Sequence, residues 1–404
     1  MTALLLLAAL AAPPVTVTPD GDGFRLDRGG EAYFIKGVGG SERLELARSL
    51  GANSVRTWGA DGAEAVLDEA ESLGMTVCVG LWLAHPNTYV DYADPDAVNA
   101  QVEQTVAAVR RLKDHPALLM WGVGNEMEGD GSDPKLWKAL EKTAAAVKAE
   151  DPDHPTMTAL AGSSERKTRA LDQFCPSIDL VGLNAYGSAP RAAERYREAG
   201  GTRPFVMTEF GPEGPWEVAK TPWGSRVEPT STAKAATYRA GYEGSVEGQP
   251  LCVGSYAFLW GNKQETTATW FGMFLPDGSP LAAAQAMSEI WTGRPPADRC
   301  PTIAVPTLSK TDGVMPGETL RASVEAVDPE GGPLQVEWVL RSDGGVLTNG
   351  AVRQAEEQEF PDLVAGDGLT AEVTAPAAGT YRLFAYVRDL AGHAAVANVP
   401  LRVE

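Results

Sequence analysis

"LLMWGVGNE", residues 118–126, is an apolar run that ends in an amide and a carboxylate. A charged group at the end of a buried strand is costly unless it is paired, hydrogen-bonded or reached by solvent. The stretch therefore predicts a buried strand whose last residues face something polar. Working outward from it, short apolar runs alternate with helical patterns. The strand candidates are 33–38, 54–58, 76–82, 118–124, 156–160, 178–184, 205–209 and 253–260. Amphipathic patterns at 42–50, 63–73, 97–113 and 134–150 predict helices, the last opened by Asp133 as N-cap with Pro134 at the first helical position. Strict alternation argues a parallel sheet, and eight such units in about 260 residues is the size of an α/β protein of the (β/α)8 TIM-barrel class.

Around "RPPADRCPTIAVP" the texture changes. Pro295, Pro296, Pro301 and Pro306 mark a linker, and beyond it short strand-like runs such as "VEWVL" and "YRLFAYVRD" recur between turn clusters. This predicts an all-β immunoglobulin-like sandwich with Trp338 in its core and without the cysteine pair of antibody domains. The expected organisation is a signal peptide over 1–12, a barrel over 13–297, and linker plus sandwich over 298–404. "MTALLLLAALA" is too short for a membrane span and fits an export signal with Ala9-Leu10-Ala11 as cleavage site, although no Lys or Arg precedes it. Secretion or a periplasmic location follows as an expectation.

With 44% hydrophobic and 22% charged residues over 404 positions, the composition is globular. A net charge of −20 without any basic run excludes nucleic acid and anionic membranes as partners and points to a neutral one. Cys78 lies in an apolar strand pattern and reads as a buried free thiol. Cys175, Cys252 and Cys300 leave room for one disulfide. No Cys-x-x-Cys or Cys/His cluster is present, so no zinc site is expected, and the hydrolytic chemistry read below implies neither a metal nor an organic cofactor.

In a barrel of this class the active site forms where the strands end, so polar residues there are read first as catalytic. Four ends stand out: Arg56; Asn125 with Glu126; Asn184 with Tyr186; and Glu209. Two carboxylates facing one cavity suit glycosidic cleavage, in which one group protonates the leaving oxygen and the other attacks or stabilises the anomeric carbon. Residue parity predicts Gly122, Gly124 and Glu126 on one strand face, and Phe205, Met207 and Glu209 on one face of another. Glu128, Glu213 and Glu217 compete but read as loop residues. His85 is balanced between substrate contact and loop packing, and His115 with Pro116 reads as structural. Trp216, Trp223, Trp270 and Phe271 are expected at the rim, where at least one, Trp216 foremost, walls a sugar subsite.

"DHPALLMWGVGNE" followed by "FVMTEFG" resembles the large clan of retaining glycoside hydrolases with (β/α)8 barrels. The resemblance implies Glu126 as acid/base, Glu209 as nucleophile, Asn125 as donor to the sugar 2-hydroxyl and Tyr186 as hydrogen-bond partner of the nucleophile. It also implies Arg56 orienting Glu209 and Trp260 flooring the reacting subsite. A barrel with a terminal immunoglobulin-like domain resembles glycoside hydrolase family 158, whose members act on β-1,3-glucans. The expectation is thus an exported endo-β-1,3-glucanase on a neutral polysaccharide. A glucanosyltransferase with the same two Glu, or a non-catalytic polysaccharide-binding protein, stand as alternatives.

Overall fold

The structure is a computed structural model that describes residues 12–86, 90–344 and 357–404. Residues 1–11 of the expected export signal lie outside the described residues. Eight parallel strands close into a barrel: β1 (Ile35–Gly39), β2 (Ser54–Arg56), β3 (Thr76–Leu81), β4 (Leu118–Asn125), β5 (Thr156–Ala161), β6 (Leu180–Asn184), β7 (Phe205–Phe210) and β8 (Cys252–Ala257). They follow chain order around the ring, with β8 pairing β1. The helices alternating with them are α1 (Leu44–Ser49), α2 (Ala63–Ser72), α3 (Pro95–Leu112), α4 (Pro134–Glu150), α5 (Glu165–Phe174), α6 (Ala192–Glu198), α7 (Ser231–Ser245) and α8 (Ala282–Thr292). Local chemistry sets their starts. The carboxylates of Asp94 and Asp133 accept from the backbone of Asp96 and Lys135, each with Pro in the first turn, supplying partners that a helix N-terminus otherwise lacks.

An unanticipated antiparallel hairpin, Val15–Asp20 with Gly23–Arg28, precedes the barrel. Its Val15 and Leu26 join Ile35, Met120, Met157, Leu180, Val206, Val253 and Tyr256 in one buried cluster, so the hairpin closes the end of the barrel away from the carboxylates. Backbone bonds from Val15 to Asp153 and from Phe24 to Pro250 fix it to the loops before β5 and β8.

Strand parity needs correction. Phe205 and Met207 pack in the outer core between strands and helices, whereas Val206 faces the barrel interior. Glu209 nevertheless shares the cavity end with Asn184, because the β7–β6 register shifts between Met207 and Glu209. On β4 the register shifts between Gly122 and Asn125; Gly124 has φ +73°, and Glu126 itself has φ +51°. Simple alternation fails at both acids because each strand is irregular where it meets the site.

Beyond α8 the chain builds a β-rich domain. A sheet containing β9 (Thr319–Ser323) and β11 (Thr370–Thr374) shares a core with one made of β10 (Gln335–Ser342), β12 (Gly379–Arg388) and β13 (Ala394–Val403). Trp338 is buried there and donates to the Gly368 carbonyl. All four cysteines are buried free thiols, so the possible disulfide is not formed.

This domain is bonded to the barrel through buried polar groups. The Arg382 side chain, fully buried, donates to Asp343 at 3.0 Å, to Asn398 at 2.9 Å and to the Arg226 carbonyl in the β7–α7 loop at 2.7 Å. Asn398 in turn donates to Glu228, and the Val396 amide to Ser231 at the start of α7. Removing one member of a buried, satisfied ion pair leaves the other charge stranded, at a cost of about 3–5 kcal/mol. We therefore expect Arg382→Ala to lower the denaturant midpoint of the full chain by a corresponding amount, with Arg382→Lys recovering only part; an unchanged midpoint for Arg382→Ala would show that the junction is not held this way.

Candidate active site

β2, β4, β6 and β7 bring their last residues to one cavity and join them in a continuous hydrogen-bond chain. Arg56, 3% exposed, donates from Nη1 to Glu209 Oε1 at 2.8 Å and to the Thr208 carbonyl at 2.9 Å, and from Nη2 to Asn125 Oδ1 at 2.7 Å. Asn184 Nδ2 donates to Glu126 Oε1 at 2.8 Å and to Asn125 Oδ1 at 3.2 Å, while its own oxygen accepts from Thr208 Oγ1. A guanidinium has donors only, so Arg56 dictates the Asn125 amide orientation: its oxygen is taken and its Nδ2 remains to donate into the cavity.

The two carboxyl groups have different surroundings. Glu209 accepts from Arg56, from Trp58 Nε1 at 2.8 Å and from Tyr186 Oη at 2.7 Å. Glu126 is linked through Asn184, and burial together with the negative charge of Glu209 pushes its carboxyl up to about 7. Desolvation disfavours the charged form, and a second carboxylate nearby adds to that. Burial and the same two carboxylates also push the Tyr186 phenol well above its ordinary value, leaving it a proton donor. Glu126 adopts φ +51°, a backbone region that a side chain with Cβ rarely enters and that tends to mark functional positions.

Aromatic rings line the wall beside Tyr186. Trp216, 52% exposed, meets the Tyr186 ring edge-on at 5.4 Å, and Phe258 and Phe271 pack behind it. His85 lies at 5.6 Å from the exposed Trp82 on the loop after β3. Trp260 departs from its expected place: it is fully buried, donates to the Glu42 carbonyl and packs on Phe274, so it supports the β8 end from behind and offers no face to a sugar. Trp270 and Phe271 are likewise buried, and Trp223 lies against Arg402 of the β-rich domain, leaving Trp216 exposed among the four expected rim aromatics.

Glu128 is buried and paired with Lys167 at 2.7 Å, and Glu217 accepts from the Gly187 and Gly214 amides, so both hold loops. Trp58 was missed. Its position two residues beyond Arg56 in "VRTW" was the available signal, since a strand-end arginine and the indole after it reach the same cavity.

Residues 44–215 match the model described as "Glycosyl hydrolases family 2, TIM barrel domain". Among curated proteins, the chain is similar to the β-glucuronidase of Homo sapiens, 32% identical over 148 residues that make up 36% of this chain and 21% of that protein. The β-glucuronidase of Sus scrofa is 27% identical over 189 residues, 42% of this chain and 27% of that protein. The matched stretch thus spans only about a fifth to a quarter of these relatives' length. In fold, the chain is similar to the β-glucuronidase of Ruminococcus gnavus, with TM-score 0.53 and 18% identity over 69% of this chain and 53% of that one. It is also similar to an FMN-binding β-glucuronidase from Facaelibacterium prausnitzii L2-6, with TM-score 0.54 and 17% identity over 97% of this chain and 59% of that one.

These likenesses overturn the expected endo-β-1,3-glucanase and its neutral polysaccharide partner, because the curated relatives named above are β-glucuronidases. The net charge was the wrong guide. A value of −20 is summed over the whole surface, whereas a substrate meets the few groups at one cavity. The matched model is a glycosyl hydrolase barrel, as the sequence resemblance implied, and it is of family 2 and not of family 158.

Proposed function

We propose that this chain is a retaining β-glycosidase that cleaves β-glucuronides, with Glu126 as acid/base and Glu209 as nucleophile. The observation that carries the mechanism is the contrast between the two carboxyl groups: one pushed up to about 7, the other ion-paired with Arg56 and hydrogen-bonded by Trp58 and Tyr186. In the first step Glu209 attacks the anomeric carbon while Glu126 passes its proton to the leaving oxygen. In the second Glu126, now a carboxylate, takes a proton from water as the glycosyl ester to Glu209 is displaced. Asn125 Nδ2 meets the sugar 2-hydroxyl, and Trp216 with Tyr186 walls the ring.

The β-glucuronidases to which the chain is similar support the sugar. Within this chain, the loop after β8 carries Lys263, paired with Glu265 at 2.8 Å, and the Glu265 charge adds to those that raise the Tyr186 phenol. The β-rich domain we read as immunoglobulin-like, from antiparallel sheets that share one Trp338-containing core.

Three outcomes are expected. On aryl glycosides, turnover of the β-glucuronide should exceed that of the β-glucoside, β-galactoside and β-mannoside, and the first product seen by proton NMR should be the β-anomer; preference for a neutral sugar would refute the substrate, and an α-anomer the retaining mechanism. For roles, Glu126→Gln should lose about 10²- to 10⁴-fold on a poor leaving group and far less on a good one. Azide should then restore turnover as the β-glycosyl azide in this variant and not in Glu209→Gln. For pH, a general acid must carry its proton, so kcat/KM should fall as pH rises through about 7. With a leaving group too good to need protonation, that alkaline limb should vanish in Glu126→Gln; its persistence there would assign it to another group.

A further inference from the structure

Away from the cavity, three side chains converge where the linker after α8 meets the turn joining β12 to β13. His393 Nδ1 lies 3.2 Å from Asp298 Oδ2 and 3.3 Å from Asp389 Oδ2, and the three ligand atoms all fall within 4.8 Å of one another. The Asp389 carboxylate is 3% exposed. Its Oδ1 accepts from the His393 amide, but its Oδ2 is buried without a hydrogen-bond partner, and so is His393 Nδ1. A buried carboxylate oxygen that no donor reaches is costly and calls for a cation.

A protonated imidazole is the simpler candidate for that cation, and the geometry disfavours it. One N–H cannot serve two oxygens fully, and Nδ1 is aligned for a hydrogen bond with neither. The same separations suit ligands shared by one ion. Ligand atoms about 2.0–2.1 Å from a tetrahedral zinc lie about 3.3 Å apart along each edge, which the 3.2 and 3.3 Å separations match. We propose that Asp298, Asp389 and His393 form a zinc-class divalent cation site, with imidazole and two monodentate carboxylates as ligands and water in the fourth position on the half-exposed Asp298 side.

The donor set argues for this class of metal. Imidazole with carboxylate suits zinc and its first-row neighbours, whereas calcium takes six to eight oxygens and magnesium keeps an octahedral oxygen shell. Cys300 is close in sequence to Asp298 but turns away, with its Sγ donating to the Pro280 carbonyl. The setting is prepared on each side. Gln285 of α8 donates to the Asp298 carbonyl and accepts from the Cys300 amide, and the Ala394 amide donates to the Pro280 carbonyl. The ion would therefore staple the linker to the β-rich domain beside the last barrel helix. The expectation from sequence that no metal is held rested on the absence of clustered ligands along the chain, and this cluster is assembled only by folding.

The full chain, stripped with EDTA and desalted, should take up about one Zn²⁺ by calorimetric titration and show a higher melting temperature with it, since a ligand of the native state stabilises that state. Co²⁺ in its place should give the visible absorption of a four-coordinate site. In Asp298→Asn, where the altered group is half-exposed and folding is not at stake, and in His393→Gln, binding should weaken at least as much as on loss of an outer-shell partner, about 10- to 100-fold. Zinc uptake equal in wild type and both variants, no uptake at all, or preference for Ca²⁺ would each overturn the assignment.

Discussion

The structure turns on the Arg56 guanidinium. Two carboxyl groups brought to one half-enclosed cavity repel each other, and burial penalises each charge further. Arg56 is the buried cation that makes the arrangement tenable, and it acts asymmetrically. It is paired directly with Glu209, whereas its hydrogen bonds lead to Glu126 by way of Asn125 and Asn184. One carboxyl group is thus compensated while the other is left to rise to about 7. The division of labour that the proposed double displacement would require follows from where one rigid fork points.

That fork also explains why β4 and β7 end irregularly. A regular strand sends consecutive side chains to opposite faces, yet Asn125 and Glu126 both engage the same network, as do Thr208 and Glu209. A register shift at each strand end turns a second residue inward. At β4 the cost is visible as positive φ at Gly124 and at Glu126, the first without steric penalty and the second with one.

The strand runs, their alternation with helices and the Asn-Glu and Glu ends were legible because buried strands and their polar termini contrast in hydrophobicity over a few residues. The eight expected strands differ from those observed by at most about three residues at an end. What failed needed three-dimensional information. Trp260 follows a strand as plainly as Trp58 does, and only packing reveals that one indole supports Phe274 while the other donates to Glu209. Parity failed where register shifts broke it. The hairpin over Val15–Arg28 did carry a signal, apolar alternation around "PDGDG", but it adjoined the expected export segment and was passed over. Substrate class was the weakest inference, because it was drawn from net charge and not from the cavity.

The β-rich domain bears on the cavity more closely than a Pro-rich linker suggests. The β7–α7 loop carries Trp216 at its exposed edge and is anchored at both ends of its course. On the barrel side Glu217 accepts from the Gly187 and Gly214 amides, and Trp270 donates to the Glu213 carbonyl. On the other side the Arg226 carbonyl accepts from Arg382, Ser225 donates to Asp343, and Glu228 gathers Lys234, Thr267, Thr269 and Asn398. Arg226 joins the two sets by donating to the Pro215 carbonyl, one residue before Trp216. A long loop of polar residues cannot hold an aromatic wall in place by its own entropy-limited contacts. Here Arg382, Asp343 and Asn398 of the second domain supply three of its fixed points, so the barrel and the β-rich domain share the work of shaping the cavity.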